Sequence, residues 1–302
     1  MKKRKNRRVP FLLLAALLIC TLFAGCSQTQ LDAAFSSAAP SVSSASASKA
    51  PPAGLTVCYI DVGQGDSIFI DCNGSTMLID AGIPDMGSRV TACLDRYGIT
   101  KLDDVICTHP HDDHIGGIPL VLQSRQVSRI FMTKATNNTQ SFENLLTAIS
   151  KKGLKATVPS PGQSYTLGGA SFTVLAPTAT YTDLNDMSIV IRLTYKGKSF
   201  LFTGDASFDS ENDMLKKGYN LKADVLKVGH HGSATASGAA FLKAVSPQYA
   251  VISVGKDNDY GHPTKAALTR LQKAGAKVLR TDLNGTVVFY YDGKKLSYTT
   301  EK

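Results

Sequence analysis

The chain has 302 residues, with 33 Lys or Arg against 24 Asp or Glu and a formal charge of +9 at pH 7. Six of those bases fall within Met1–Arg8, which holds no acid; without them 27 bases face 24 acids, a formal +3. A charge that mild removes any composition-based argument for nucleic acid as a partner, and the length beyond the N-terminal region, about 250 residues, fits one large α/β domain.

In chain order, the basic Met1–Arg8 is followed by an apolar run from Phe11 to Ala24. This pattern is that of a secretory signal, and the run is shorter than the ~20 apolar residues a spanning helix needs. It ends in Leu22-Phe23-Ala24-Gly25-Cys26, where small residues before a cysteine resemble a bacterial lipobox. The resemblance implies cleavage before Cys26 and lipidation of its thiol; a plain N-terminal anchor is the alternative. From Ser27 to Ala53 the chain is mostly Ser, Ala, Gln and Pro, too poor in large apolar groups to repay the entropy of ordering. The organisation expected is a signal over 1–25, a lipidated flexible tether over 26–54 and one domain over 55–302. That arrangement places the domain on the extracytoplasmic face of a bacterial membrane. Within the domain, Cys58, Cys72, Cys93 and Cys107 do not form a zinc-ribbon pattern and read as structural thiols.

Apolar periodicity predicts strands at Thr56–Val62, Ser67–Asp71 and Thr76–Asp80, then a helix over Gly87–Tyr97. A strand at Asp104–Cys107 leads into the histidine-rich run, and Ile115–Gln123 reads as a helix. Further strands are expected at Arg129–Met132, Ser171–Leu175, Ser188–Thr194, Ser199–Thr203, Asp224–Val228, Tyr249–Val254 and Val287–Tyr291. Helices are expected at Ser141–Lys151, Ser210–Lys217, Gly238–Ala244 and Thr264–Ala274. Strands first, then strand and helix in alternation, suggests two sheets packed together with helices outside.

The chemistry concentrates in Thr108-His109-Pro110-His111-Asp112-Asp113-His114-Ile115-Gly116-Gly117, with three imidazoles and two carboxylates within six residues just after a strand. Zinc and related divalent ions take imidazole nitrogen and carboxylate oxygen, and a tight loop aims alternate side chains at two neighbouring positions. His109 and His111 would serve one ion, and Asp113 and His114 the other. A polar loop at a helix N-terminus would explain Asp112 and Asp113 alone, but not this density of imidazoles. No phosphate-cradling loop and no dinucleotide-binding glycine pattern appears in a strand-to-helix context.

The run matches the HxHxDH signature of the metallo-β-lactamase superfamily, which implies the four-layer αββα sandwich as a single α/β domain. Leu201-Phe202-Thr203-Gly204-Asp205 resembles that family's strand-end aspartate, implying that Asp205 bridges two ions. Asp61-Val62-Gly63-Gln64-Gly65-Asp66-Ser67, Asn185-Asp186-Met187-Ser188, Val228-Gly229-His230-His231-Gly232-Ser233 and Tyr260-Gly261-His262-Pro263 follow one another as in the metal-binding domain of ComEC-type competence proteins. The similarity covers nearly everything from Leu55 onward. The histidine that the wider superfamily carries between the first run and the bridging aspartate is replaced here by Asn185 and Asp186, both expected to lie behind the ligands.

The resemblance implies a metal set of His109, His111, Asp113, His114, Asp205 and His230. His231 is then the partner that handles a proton, although the reverse order of the pair is nearly as good. His262, in a loop stiffened by proline, is either a further catalytic imidazole or a loop-packing one. Asp66 is the candidate to orient a ligand imidazole, whereas Asp61 and Asp80 read more simply as turn residues.

The mechanism expected is hydrolysis by water activated on two divalent ions, zinc or manganese. Asp113 orients the water, and His231 or His262 protonates the leaving group. The substrate implied by the ComEC-type motifs is DNA or another extracellular phosphodiester. Two other classes stay open: hydrolysis of a carbonyl ester, lactone or lactam, and a non-catalytic surface module that keeps metal for structure.

Overall fold

A computed structural model of the chain describes residues 51–302. The apolar segment, Cys26 and the tether up to residue 50 lie outside the described residues. In the described part, no helix is long and apolar enough to cross a membrane.

The first sheet opens with β1 (Leu55–Tyr59), β2 (Ile68–Cys72), β3 (Ser75–Ile79), β4 (Lys101–Cys107), β5 (Gln126–Met132) and the short β6 (Ala156–Thr157). The second runs from β7 (Ser164–Leu167), β8 (Ala170–Ala176), β9 (Val190–Tyr195) and β10 (Lys198–Phe202) to β11 (Val225–Lys227), β12 (Tyr249–Ile252) and β13 (Lys277–Arg280). The chain then returns to the first sheet as β14 (Val287–Tyr291) and β15 (Leu296–Thr300), giving the orders β15-β14-β1-β2-β3-β4-β5-β6 and β13-β12-β11-β10-β9-β8-β7. In each sheet antiparallel hairpins give way to parallel strands, at β3-β4 and at β10-β11. Parallel pairing requires crossovers, and these supply the outer helices.

Side-chain alternation explains why the layers number four. In β1 and β2, Val57, Tyr59, Ile68 and Ile70 point to the core between the sheets, where they meet Phe172, Ile191, Leu193, Phe200 and Phe202. Cys58 and Phe69, one residue out of phase, point the other way. There they pack under α1 (Gly87–Arg96), beyond which the chain forms a single turn, α2 (Asp112–Ile115), then α3 (Ile118–Ser124) and α4 (Gln140–Lys151). The outer face of the second sheet is covered by α5 (Phe208–Lys216), α6 (Ala239–Val245) and α7 (Lys265–Lys273). Each fully buried Phe, Leu or Ile contributes about 1.5–3 kcal/mol, and strands apolar on both faces need cover on both, which the facing sheet and the outer helices supply here. The αββα layering expected from the sequence is therefore the fold observed.

Some elements differ from the sequence-based expectation. The helix expected over Ile115–Gln123 is split into α2 and α3 because the backbone must pass close to its neighbours at the glycine pair: a Cβ on Gly117 would lie 2.3 Å from the carbonyl oxygen of Ala81. Strands β7, β13 and β15 carry polar or alternating residues at sheet edges and lack the apolar runs that marked the others. Asp186, expected behind the metal ligands, does something else. Its carboxylate accepts hydrogen bonds from Ser207 N at 2.9 Å, Ser207 Oγ at 2.8 Å and Ser210 N at 3.2 Å. It thus caps the start of α5, which receives no cap from Ser207 itself.

Candidate metal centre

The site forms at one end of the sandwich, where strands from both sheets finish. The histidine run follows β4, Asp205 follows β10, His230 and His231 follow β11, Asp80 follows β3, and Asp66 ends the connection from β1 to β2. Its approach is set by a close fold-back: Asp66 N donates to the carbonyl of Asp113 at 3.1 Å, and a Cβ on Gly65 would come within 2.2 Å of that same oxygen. Any side chain at position 65 would push Asp113 out of the site.

All six histidines of the chain gather here. One ligand atom each from Asp113, His114, Asp205 and His231 lies within 4.8 Å of the others. His114 Nε2 and His231 Nε2 are each 3.3 Å from Asp205 Oδ2, and His231 Nε2 is also 3.3 Å from Asp113 Oδ2. Beside this cluster, His109 Nε2 and His111 Nδ1 are 3.0 Å apart, and the His109 and His114 rings lie 4.1 Å apart. Asn185 lines the same pocket, and its Oδ1 is buried without a hydrogen-bond partner.

The far nitrogens of the inner imidazoles are pinned. His114 Nδ1 lies 2.8 Å from Asp80, which also accepts from Thr108 N at 2.8 Å and Thr108 Oγ1 at 2.6 Å. His231 Nδ1 lies 2.9 Å from the carbonyl of Ser253, an acceptor, so this nitrogen carries the proton. His109 Nδ1 is 3.1 Å from Thr108 Oγ1 and 3.3 Å from Ser188 Oγ. With Nδ1 so engaged, each imidazole presents Nε2 inward. His114 Nε2, His231 Nε2 and Asp205 Oδ1 are nevertheless buried with no hydrogen-bond partner. Buried polar atoms are almost always satisfied, and a divalent cation is the group that imidazole nitrogens and carboxylate oxygens in this arrangement would satisfy. The residues present fit it.

Two of the sequence-based roles are corrected by this geometry. The expected order of the histidine pair is reversed: His231, fully buried, joins the four-residue cluster, while His230 is partly exposed with Nε2 at 3.8 Å from Asp205. Asp80, read from the sequence as a turn residue, is the carboxylate that holds His114. Asp66 lies 4.0 Å from His114 Nδ1 and 3.5 Å from His231 Nδ1, and it is held at 2.6 Å by the ammonium of Lys227. Lys227 is wholly buried and also donates to the carbonyl of Val228 at 3.0 Å. Sequence reasoning passed over Lys227, Thr108 and Ser253. A lysine inside the otherwise apolar strand β11 is the one signal that could have found the first of them.

Electrostatics tie the cluster together. Burial pulls His114 and His231 down, but Asp205 and Asp113 outweigh it, raising His114 well above its ordinary pKa and His231 to about 10. Burial alone would raise Asp205 and Asp113, and the facing imidazoles instead hold both well below the usual carboxylate range. Burial lowers His109, and the neighbouring His114 lowers it further. His230 and His262 are likewise lowered, chiefly by burial. They stand on the wall of an open pocket of about 480 Å³ that also includes Gln64, Asn137 and Tyr260.

Residues 60–256 match the family model of the metallo-beta-lactamase superfamily, and the chain belongs to that superfamily. It is 34% identical over 257 residues to ComE operon protein 3 of Bacillus subtilis (strain 168), an alignment covering 79% of this chain and 33% of that protein. To competence protein ComA of Neisseria gonorrhoeae it is 33% identical over 240 residues, covering 76% of this chain and 31% of the other. The chain spans about a third of the length of these curated relatives. Among solved structures it is similar to the metallo-beta-lactamase fold protein YhfI from Bacillus subtilis, with a TM-score of 0.51, 18% identity, and coverage of 75% of this chain and 96% of that one. The fold is that of metal-dependent hydrolases that bind divalent metals, and a candidate site for such a metal is present.

Proposed function

We propose that this chain is an exported, lipid-anchored phosphodiesterase that hydrolyses DNA or another phosphodiester outside the cell membrane, using two divalent ions, zinc or manganese. The observation that carries the reading is the set of buried, partnerless atoms of His114, His231 and Asp205 at the floor of an open pocket. Asp113, His114, Asp205 and His231 would hold one ion, and His109, His111 and Asp205 the other, with Asn185 standing where a third imidazole is absent. When bound, the ions supply Lewis acidity toward an anionic substrate and bring a water molecule to ionise near neutral pH.

The chain's own residues do the rest. Asp80 and the Ser253 carbonyl hold the two inner imidazoles in one tautomer. Asp113, half turned to the pocket, orients the attacking water. His230 takes the place in proton transfer that the family resemblance implies for His231, with His262 beside it at 5.5 Å between ring centroids. Both are kept neutral by burial, and so are fitted to take up a proton and return it to the leaving oxygen. The phosphodiester class is supported by the similarity to competence proteins along most of the chain.

The test is metal analysis of the purified full chain, followed by assays on single-stranded DNA, duplex DNA, a small phosphodiester and a lactam, with Asp205→Ala as control. The expected result is bound metal and cleavage of phosphodiesters but not the lactam, both lost in the variant. Preferential cleavage of the lactam or of an ester would replace this reading with the carbonyl class. Bound metal without any turnover would replace it with a non-catalytic module. Anchoring is tested separately: Cys26→Ser should move the protein out of the membrane fraction, and retention there would refute lipidation.

A further inference from the structure

Tyr260 is the most exposed large aromatic or aliphatic side chain among the described residues, at 68% of its full accessibility, and it lies on the wall of the metal-site pocket. Exposed aromatic rings are commonly loose, but this one is not on a loose loop. Asn258 organises the segment from both ends of its amide: Nδ2 donates to the carbonyls of Gly255 at 2.9 Å and His262 at 2.6 Å, while Oδ1 accepts from Tyr260 N at 3.2 Å and His262 N at 3.1 Å. The Tyr260 ring lies over His262, with centroids 5.9 Å apart and planes 23° apart. His262 in turn meets His230 edge-on at 5.5 Å. The backbone of Tyr260 is thereby held and its ring rests in an offset, near-parallel contact with His262, while the ring as a whole remains open to the pocket and solvent.

The charge of the pocket narrows what that ring is for. Its lining comprises carboxylates, imidazoles, amides, one threonine, one isoleucine and Tyr260, and none of the lining residues described is Lys or Arg. Proteins that grip a nucleic-acid backbone electrostatically use such cations. A strand entering here gains little from side-chain charge and most from a flat, pre-positioned aromatic surface, which accepts any nucleobase because every base has a π-face. In a duplex the bases are already stacked and paired, so the ring can be used only by an unpaired base.

We propose that Tyr260 is a stacking platform for an unpaired nucleobase, and that it sets the site's preference for single-stranded over duplex nucleic acid. This inference rests on the phosphodiesterase reading for its substrate class and goes beyond it in naming the strand state and the residue. Tyr260 acts as a positioning residue: it holds the nucleotide while the reacting phosphate lies among the imidazoles and carboxylates.

The test uses the full chain with manganese and two single strands, one of deoxyadenosines and one with abasic sites replacing every base. Binding is read by fluorescence anisotropy, and turnover by gel. The wild type should bind the base-bearing strand at least about fivefold more tightly than the abasic one. Tyr260→Ala should abolish that difference and raise KM for the base-bearing strand while kcat holds, and Tyr260→Phe should restore it. Equal affinity of the wild type for both strands, or an unchanged preference in Tyr260→Ala, would overturn the proposal. Base-dependent binding that Tyr260→Ala removes, with neither strand cleaved, would support the platform while refuting the phosphodiesterase.

Discussion

The inner imidazoles and the rim imidazoles of this site are built differently. His114, His231 and His109 are buried, and each has its Nδ1 engaged by a carboxylate, a backbone carbonyl or a hydroxyl. His230 and His262 stand nearer the pocket, and their Nδ1 atoms have no hydrogen-bond partner. A pinned outer nitrogen fixes tautomer and aim, which is what a metal ligand needs. An unpinned one leaves the ring able to change protonation state, which is what proton transfer needs. On the proposed reading, role follows the support behind each ring more closely than its place in a motif.

The strongest way to break this division is at the residue both groups share. Asp205→Ala should remove metal from the inner cluster and lower turnover roughly a thousandfold, the scale on which losing one pre-organised electrostatic group acts; metal content and rate measured on one preparation check it. Retained metal with lost activity would mean that Asp205 serves the rim instead. Next comes the histidine pair. His231→Ala should lose metal, whereas His230→Ala should keep metal and lose about a hundredfold in kcat. The opposite pattern would restore the order expected from the sequence.

A smaller effect is expected behind the inner ring. Asp80→Asn keeps the shape but weakens the hold on His114 Nδ1, and metal affinity read by competition with a chelator should fall about 10- to 100-fold. The rim should be indifferent to it, so the kcat of the fully loaded variant should change little. Least of all in activity, but visible in stability, is Glu211. It receives Ser237 N at 2.5 Å and Gly238 N at 2.8 Å, closing the turn that follows His231. Burial raises its carboxyl from 4.5 to about 7 in the folded chain. The folded state then binds the proton more tightly than the unfolded state between those values, so this group's contribution falls as pH rises from 4.5 through 7. The cost above neutrality is on the order of 3 kcal/mol. Denaturant unfolding of wild type and Glu211→Gln at pH 5 and 7.5 should show a shallower pH slope in the variant. An identical slope would exclude Glu211 as its source.

Much of this was legible in sequence, for identifiable reasons. The run from His109 to His114 is contiguous, so its density could be seen without a fold, and strands such as β1, β10 and β14 announced themselves as β-branched and aromatic runs. Asp80 could not be weighed correctly because its role depends on β3 pairing in parallel with β4, which brings its carboxylate under Thr108 and His114. The order of His230 and His231 was hidden by the backbone. Both residues adopt left-handed conformations, with φ of 47° and 51°, so ordinary alternation of neighbouring side chains gives no guide to which faces inward. Asp186 looked like part of the site because it stands beside Asn185, but the short turn Asn185–Met187 sends neighbouring side chains to different tasks.

The buried pair of Lys227 and Asp66 has a consequence for how the domain is assembled. Asp66 belongs to the connection between two strands of the first sheet and Lys227 to the end of a strand of the second, so their 2.6 Å contact is a bolt across the sandwich. Neither charge can be left alone in that interior without a penalty of about 3–5 kcal/mol, and neither sheet can supply the partner by itself. The cluster above the bolt likewise draws Asp113 and His114 from one sheet and Asp205 and His231 from the other. Metal uptake therefore reports on the docking of the two sheets, and an intermediate with only one sheet formed has no site to fill.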